Sequence, residues 1–174
     1  MSYGLLAEFE RPEDLLRAAE SARDAGYRRL EAYSPLPVHG LAEAVGFHRT
    51  ALAPLVFAGG VAGGVGGFAL QYWMNAVDYP INVGGRPLNS WPAFIIVSFE
   101  LAILVAALTA VLGMFALNGL PKPYHPVFNV PAFQRASRDR FFLAVEAKDP
   151  SFHPERTRAF LDTLRPLAVH EVPA

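Results

Sequence analysis

The sequence predicts a membrane α+β protein in which a two-helix transmembrane hairpin interrupts a split β–α–β plus β–α–β domain. Three observations carry this. Between Ala51 and Leu117 the only charged side chains are Asp78, Arg86 and Glu100. The stretches on either side of that region each read as strand, helix, strand. The whole chain is 52% hydrophobic and 18% charged, against about 25% charged in ordinary globular domains.

The elements follow in order. Tyr3, Leu5, Ala7 and Phe9 alternate with their neighbours, as in a half-buried strand. Pro12 suits a first helical turn, and Glu13 and Asp14 complement a helix N-terminus. Leu15, Ala18, Ala19, Ala22 and Ala25 form one stripe at helical spacing, with Gly26 as the stop. Tyr27 to Tyr33 reads as a second strand, closed by Ser34, Pro35 and Pro37. Val38 to Thr50 leads to the membrane, with room for a short interfacial helix. These residues, 1–50, make the first half of the domain.

Residues 51–117 are the hairpin, with helices over about 52–76 and 93–117 and a loop over 77–92. A helix rises 1.5 Å per residue, so about 20 apolar residues cross the hydrocarbon, and each run exceeds that. Lipid offers the backbone no partners, which requires each run to close its own hydrogen bonds as a helix. Asn118 and Gly119 then end the second helix. Pro121, Pro123, Pro126 and Pro131 predict an extended linker over 118–139. In 140–174, Phe141 to Ala147 is a strand, Pro154 and Glu155 open a helix carrying Phe160, Leu161 and Leu164, and Leu167 to Val172 is the last strand.

Two strands alone are marginal in water, so the two halves are expected to combine. A four-stranded sheet with two helices on one face is the ferredoxin-like arrangement. Pairing across the insertion needs both halves on one side of the membrane, which an even number of crossings provides. Arg49 precedes the hairpin and Lys122, Arg135, Arg138 and Arg140 follow it, whereas the connecting loop has only Arg86. The positive-inside rule then predicts cytoplasmic termini. The start of the chain lacks the basic and long apolar stretches of a signal peptide, in keeping with that orientation.

The helix surfaces predict partners. Gly59, Gly63 and Gly67 repeat every fourth residue, as do Gly60 and Gly64. Small residues let helix backbones approach closely in lipid. The second helix has its own small face, Ala102, Ala106, Ala110 and Gly113. Glu100 lies on the opposite side, about 10 Å inside the helix start. An ionised carboxylate at that depth costs a few kcal/mol unless it is protonated or paired. Gln71 stands at similar depth on the first helix. Packing Glu100 on Gln71 turns the alanine face outward, and packing the alanines on the glycines turns Glu100 outward. Either way a face is left for other membrane helices. Glu100 is accordingly a candidate for an intramembrane polar contact or a proton relay, with Gln71.

In the loop, Asp78 and Arg86 sit among Pro80, Gly84, Gly85, Pro87 and Pro92, and are candidate contact residues. Tyr72, Trp73, Tyr79 and Trp91 suit the membrane interface. His39, His48, His125, His153 and His170 lack metal-ligand spacing, which points to surface or capping roles. There are no cysteines. Disulfides, thiolate metal sites, cysteine-held iron–sulfur clusters and covalently attached haem c are therefore excluded within this chain. No phosphate loop, nucleophile elbow or pair of catalytic carboxylates is present, so no catalytic residue is assigned. A net charge of −1 gives no reason to expect nucleic acid.

YPINVGGRPLNSWPAFIIVSFEL, LPKPYHPVFNVP and ASRDRFFLAVEAKDP resemble the ActD-type subunit of bacterial alternative complex III, and the resemblance runs essentially end to end. It implies a two-helix membrane protein with a cytoplasmic domain, in the bacterial inner membrane. Such a subunit belongs to a respiratory electron-transport complex that oxidises quinol and passes electrons to a cytochrome c or a blue-copper protein. Haem c, iron–sulfur clusters and the quinol site are then expected on other subunits, with no cofactor in this chain. The reading is an accessory, non-redox membrane subunit. The other reading is a free-standing two-helix membrane protein whose cytoplasmic domain senses a small ligand.

Overall fold

The computed structural model describes residues 2–47 and 50–174. Arg49, read above as a flanking charge, and His48 lie outside the described residues. In chain order the elements are β1 (Ser2–Phe9), α1 (Pro12–Asp24), β2 (Leu30–Tyr33), α2 (Leu41–Ala44), α3 (Leu52–Tyr72), a π-helical continuation (Trp73–Asp78), α4 (Trp91–Leu117), two 3-10 segments (Pro126–Asn129 and Pro131–Ser137), β3 (Phe141–Glu146), α5 (Pro154–Thr163) and β4 (Ala168–Pro173). They form two compact units, Met1–Arg49 with Pro123–Ala174, and Thr50–Lys122. The α+β class, the four strands and the two long apolar helices agree with the sequence reading.

The first unit is built on one antiparallel sheet in the order β2-β3-β1-β4. β1 is central, pairing with β3 over Gly4 to Phe9 and with β4 on its other side. Its inner residues are buried on both faces, and so are those of β3. On one face Leu5, Ala7, Phe9, Phe141, Leu143 and Val145 meet Leu15, Ala18, Ala19 and Ala22 of α1 and Leu161 of α5. The small side chains of α1 let its backbone lie close to the sheet. Pro12 stands in its first turn, Glu13 and Asp14 follow, and Gly26 comes just beyond it with φ of 97°.

The other face carries Leu6, Phe142, Ala144 and Val172, covered by Val127, Val130, Phe133 and Ala136. This covering layer is where the linker departs from expectation. Residues 126–137 are not extended; they form two 3-10 segments, each with proline in its first turn. The fixed φ of proline suits that position, and its missing N–H removes a donor the turn would leave unpaired. An antiparallel sheet commonly leaves one face to water, whereas this short segment gives the small domain a second buried layer.

Two other expectations are corrected. β2 begins at Leu30 rather than Tyr27, because the N–H groups of Arg28 and Arg29 are taken by the Asp149 carboxylate, both at 2.6 Å, instead of entering the ladder. The short helix α2 does not present its apolar side outward: Leu41, Ala44 and Val45 pack against the core that α1 helps to form.

Asp149 ties the end of the first half to the loop after β3. Only 4% exposed, it also accepts from Ser151 N–H at 2.8 Å. Burial pushes its carboxyl pKa up, but the N–H groups of Arg29, Arg28 and Ser151 outweigh that and hold it below its ordinary range. A depressed folded-state pKa contributes stability above the unfolded value of about 3.9, and that contribution is lost as pH falls through the folded value. Asp149→Ala leaves those donors unsatisfied and is expected to destabilise the full chain by about 3 kcal/mol near neutral pH. Thermal unfolding of both proteins across pH checks this, since the difference should shrink on acidification below about pH 4.

Candidate assembly site on the apolar hairpin

α3 with its π-helical continuation (Leu52–Asp78) and α4 (Trp91–Leu117) are each long and apolar enough to cross a membrane. They pack antiparallel: Gly59 faces Thr109, Gly63 faces Leu101 and Val105, Gly67 faces Ser98, and Leu52 and Leu55 face Gly113. Gly63 and Gly67 are buried in this contact. A Cβ at Gly63 would stand 2.5 Å from the Leu101 carbonyl oxygen and 2.9 Å from Val105 Cβ. One at Gly67 would stand 2.9 Å from Leu101 Cδ1 and 3.2 Å from Ser98 Cα. Thr109 fills the corresponding space at Gly59. These three glycines are required by the approach of α4 itself.

The other glycines divide differently. At Gly60 and Gly64 a Cβ would make ordinary contact, 3.5 Å from Ala106 and Ala102 respectively, and at Gly66 it would meet nothing within 4 Å. Ala110 is half-buried. On α4 it is Gly113 that is buried, where a Cβ would come within 2.8 Å of Leu55 Cδ2. The alanine face is thus turned toward the glycines, the second of the two packings set out above.

Glu100 follows from that choice. It comes two residues after Ser98, a turn of about 200° around the helix at 3.6 residues per turn, so it points away from α3. It is exposed, and makes no hydrogen bond or ion pair among the described residues. Gln71 does not reach it. The Gln71 amide nitrogen instead lies 2.9 Å from the Phe94 carbonyl, 3.2 Å from Ser98 Oγ and 3.1 Å from the Gly67 carbonyl. Ser98 Oγ donates to the Phe94 carbonyl at 2.7 Å, and Thr109 Oγ1 to the Val105 carbonyl at 2.7 Å. Ser98 was not singled out from the sequence. Its signal is a polar residue spaced to meet Gln71 once the helices are antiparallel.

The loop between the helices is held by its own bonds. Gly84 and Gly85 have φ of 62° and 76°, a backbone region that glycine enters without steric cost. Gly85 N–H donates to Asn82 Oδ1 at 2.9 Å, and Arg86 Nε to Ser90 Oγ at 2.7 Å. Ser90 Oγ in turn donates a hydrogen bond to the Pro87 carbonyl at 2.5 Å. Arg86 therefore serves the turn into α4. Asp78 and Arg86 are both exposed and are not paired with each other.

A second polar cluster lies in the sheet unit. Tyr33 and Tyr3 both donate to Glu31 Oε2, at 2.6 and 3.2 Å, and the Tyr3 hydroxyl lies 3.2 Å from His125 Nε2. Burial first, then the Glu31 carboxylate, holds both tyrosine hydroxyls well above their ordinary range. His125 Nδ1 accepts the Val127 N–H at 3.4 Å and so caps the first 3-10 segment. Glu31 and Tyr33 stand two residues apart on β2, but Tyr3 comes from β1 and His125 from the covering segment, so the cluster forms only when β3 brings β1 and β2 into one sheet.

The comparisons give these surfaces their setting. Among curated proteins no relative of the chain is found. The family model described as the ActD subunit of alternative complex III matches residues 3–171. That match spans both halves of the sheet unit and the whole hairpin. The chain belongs to the ActD family of alternative complex III subunits, and is thereby one polypeptide of a multi-subunit complex.

Proposed function

We propose that this chain is a non-redox accessory subunit that anchors and braces a quinol-oxidising electron-transport complex in the bacterial inner membrane. The observation that carries the reading is Glu100, the one charged side chain of α4, on the helix's outward face in a chain whose family assembles with others. Left alone in lipid, that group costs a few kcal/mol. A neighbouring subunit that offers a donor removes the cost. The hairpin crosses the membrane twice and packs against larger membrane subunits, and Glu100 makes the polar contact with them. Haem c, iron–sulfur clusters and the quinol site belong to those partners, as does delivery to a cytochrome c or blue-copper acceptor.

Both termini and the sheet unit lie on the cytoplasmic side in this reading. The shared sheet, with strands from both ends of the chain, supports one side for both, and Lys122, Arg135, Arg138 and Arg140 after the hairpin against Arg86 alone in its loop support the cytoplasmic side. We read that unit as ferredoxin-like, on the antiparallel order β2-β3-β1-β4 and the helices in its two crossovers.

Affinity purification through this chain from mild detergent extracts should recover a large assembly with haem absorbance and iron–sulfur signals. Recovery of the chain as a bare monomer or homodimer would overturn the accessory reading. Orientation is checked separately by single cysteines. One at Ser151 should react with an impermeant thiol reagent only in inside-out vesicles, and one at Asn82 only in right-side-out vesicles.

Two substitutions at Glu100 separate contact from proton transfer. Glu100→Gln keeps the shape and the hydrogen-bonding capacity, so the complex should assemble normally. Lowered quinol turnover in that assembled variant would assign Glu100 to a proton path, because glutamine cannot titrate. Glu100→Leu strands the partner's dipole, at about 1–3 kcal/mol, and should loosen assembly. Normal assembly and turnover in both variants would remove either role.

A further inference from the structure

The face of α4 toward α3 carries Ser98, Leu101, Val105, Thr109 and Gly113. At about 100° per residue, a second set falls within an arc of about 80°, turned about 140° from the first. It consists of Ala93, Val97, Glu100, Leu104, Ala107 and Val111, and all six are exposed. Their spacing alternates between four residues and three. That is the 3.5-residue repeat on which two helices pack as a left-handed pair, each side chain of the seam entering a gap between four residues of the partner. Branched Val97, Leu104 and Val111 alternate with Ala93, Glu100 and Ala107. Small side chains one heptad to either side of Glu100 let a neighbouring backbone come close around its level.

Glu100 decides the chemistry of what covers this face. It lies about 14 Å along α4 from Trp91, below the headgroups of a bilayer that α4 crosses. An acyl chain offers its carboxyl no hydrogen bond. A second copy of this chain, packed about a two-fold axis, would set carboxyl against carboxyl. A helix of another subunit, with one hydrogen-bonding side chain among apolar ones, supplies what both of those lack. Such neighbours exist, since the chain is one polypeptide of a multi-subunit complex.

We infer that this seam of α4 seats one transmembrane helix of another subunit of alternative complex III, crossing in the left-handed sense and bringing a hydrogen-bonding side chain to the level of Glu100. Val97, Leu104 and Val111 supply the apolar packing, and Glu100 fixes the depth at which the two helices engage. α4 then lies between α3 and the partner helix. This names the partner of Glu100 within the accessory reading above and rests on that reading. Ile95 and Phe99 line a groove between α3 and α4. They point at least about 120° away from the seam, and so mark a face that this helix does not cover.

Benzoylphenylalanine placed singly at Val97, Leu104 and Val111, and irradiated in the intact complex, should cross-link to one and the same other subunit. Placed at Ile95 or Phe99 it should not reach that subunit. Seam cross-links only to lipid, only to another copy of this chain, or to nothing would overturn the inference. So would cross-links to one subunit from every position alike. A second measurement is independent of how the probe is accommodated. Ala107→Phe fills the seam next to Glu100 and should lower retention of that subunit through a stringent wash by about tenfold, the equivalent of about 1.4 kcal/mol. Phe99→Ala, off the seam, should leave retention unchanged. Equal retention by Ala107→Phe and the unsubstituted chain would overturn the inference while leaving complex membership intact. Recovery of the unsubstituted chain without any partner would instead remove the accessory reading and this inference with it.

Discussion

The pairing of β1 with β3 is the constraint on which the rest depends. It joins Gly4 to Phe9 with Phe141 to Glu146, across everything the chain does in between. Closing so long a loop is opposed by chain entropy, although that cost grows only slowly with length. The compensation comes from burial on both faces of the two central strands. Leu5, Ala7 and Phe9 face the helices, while Leu6 and Phe142 face the 3-10 segments. A domain of this size with one solvated sheet face would bury far less apolar area. Because the covering residues 126–137 follow the hairpin and precede β3, each half of the chain contributes to a core that the other half completes.

The hairpin obeys a different constraint. Between helices in lipid no water is released, so close approach and internal hydrogen bonds carry the contact. Gly59, Gly63 and Gly67 permit the approach, and Gln71 with Ser98 supplies the bonding near one end. Once α4 is committed to that face, Glu100 has no position except the outward one. Gly60 and Gly64 face Ala106 and Ala102 with room for a Cβ, whereas Gly66 and the outward carboxylate meet nothing in the hairpin itself.

The same logic connects the polar groups of the sheet unit. Glu31 projects from a short edge strand onto a face that is mostly apolar, and two tyrosine hydroxyls are directed at it. The cluster satisfies the carboxylate without an external ligand, and His125 joins it to the covering segment.

Local chemistry let the sequence determine most of the elements. Uncharged runs longer than a bilayer needs, the alanine stripe of α1, the prolines at helix starts and the small-residue spacing each act within a few residues of themselves, so each is legible in order. The four strands and the outward position of Glu100 relative to the alanine face follow from periodicity alone. Tertiary structure decided the remainder, for reasons that no local pattern encodes. Proline spacing at 126 and 131 suits an extended chain as well as 3-10 turns, and only the apolar second face of the sheet selects the turns. Tyr27 to Arg29 has strand character, but Asp149, more than a hundred residues away, takes the N–H groups the ladder would have used. Depth alone set Gln71 against Glu100, and the steric need for glycine opposite Leu101 and Val105 brought Ser98 to Gln71 instead.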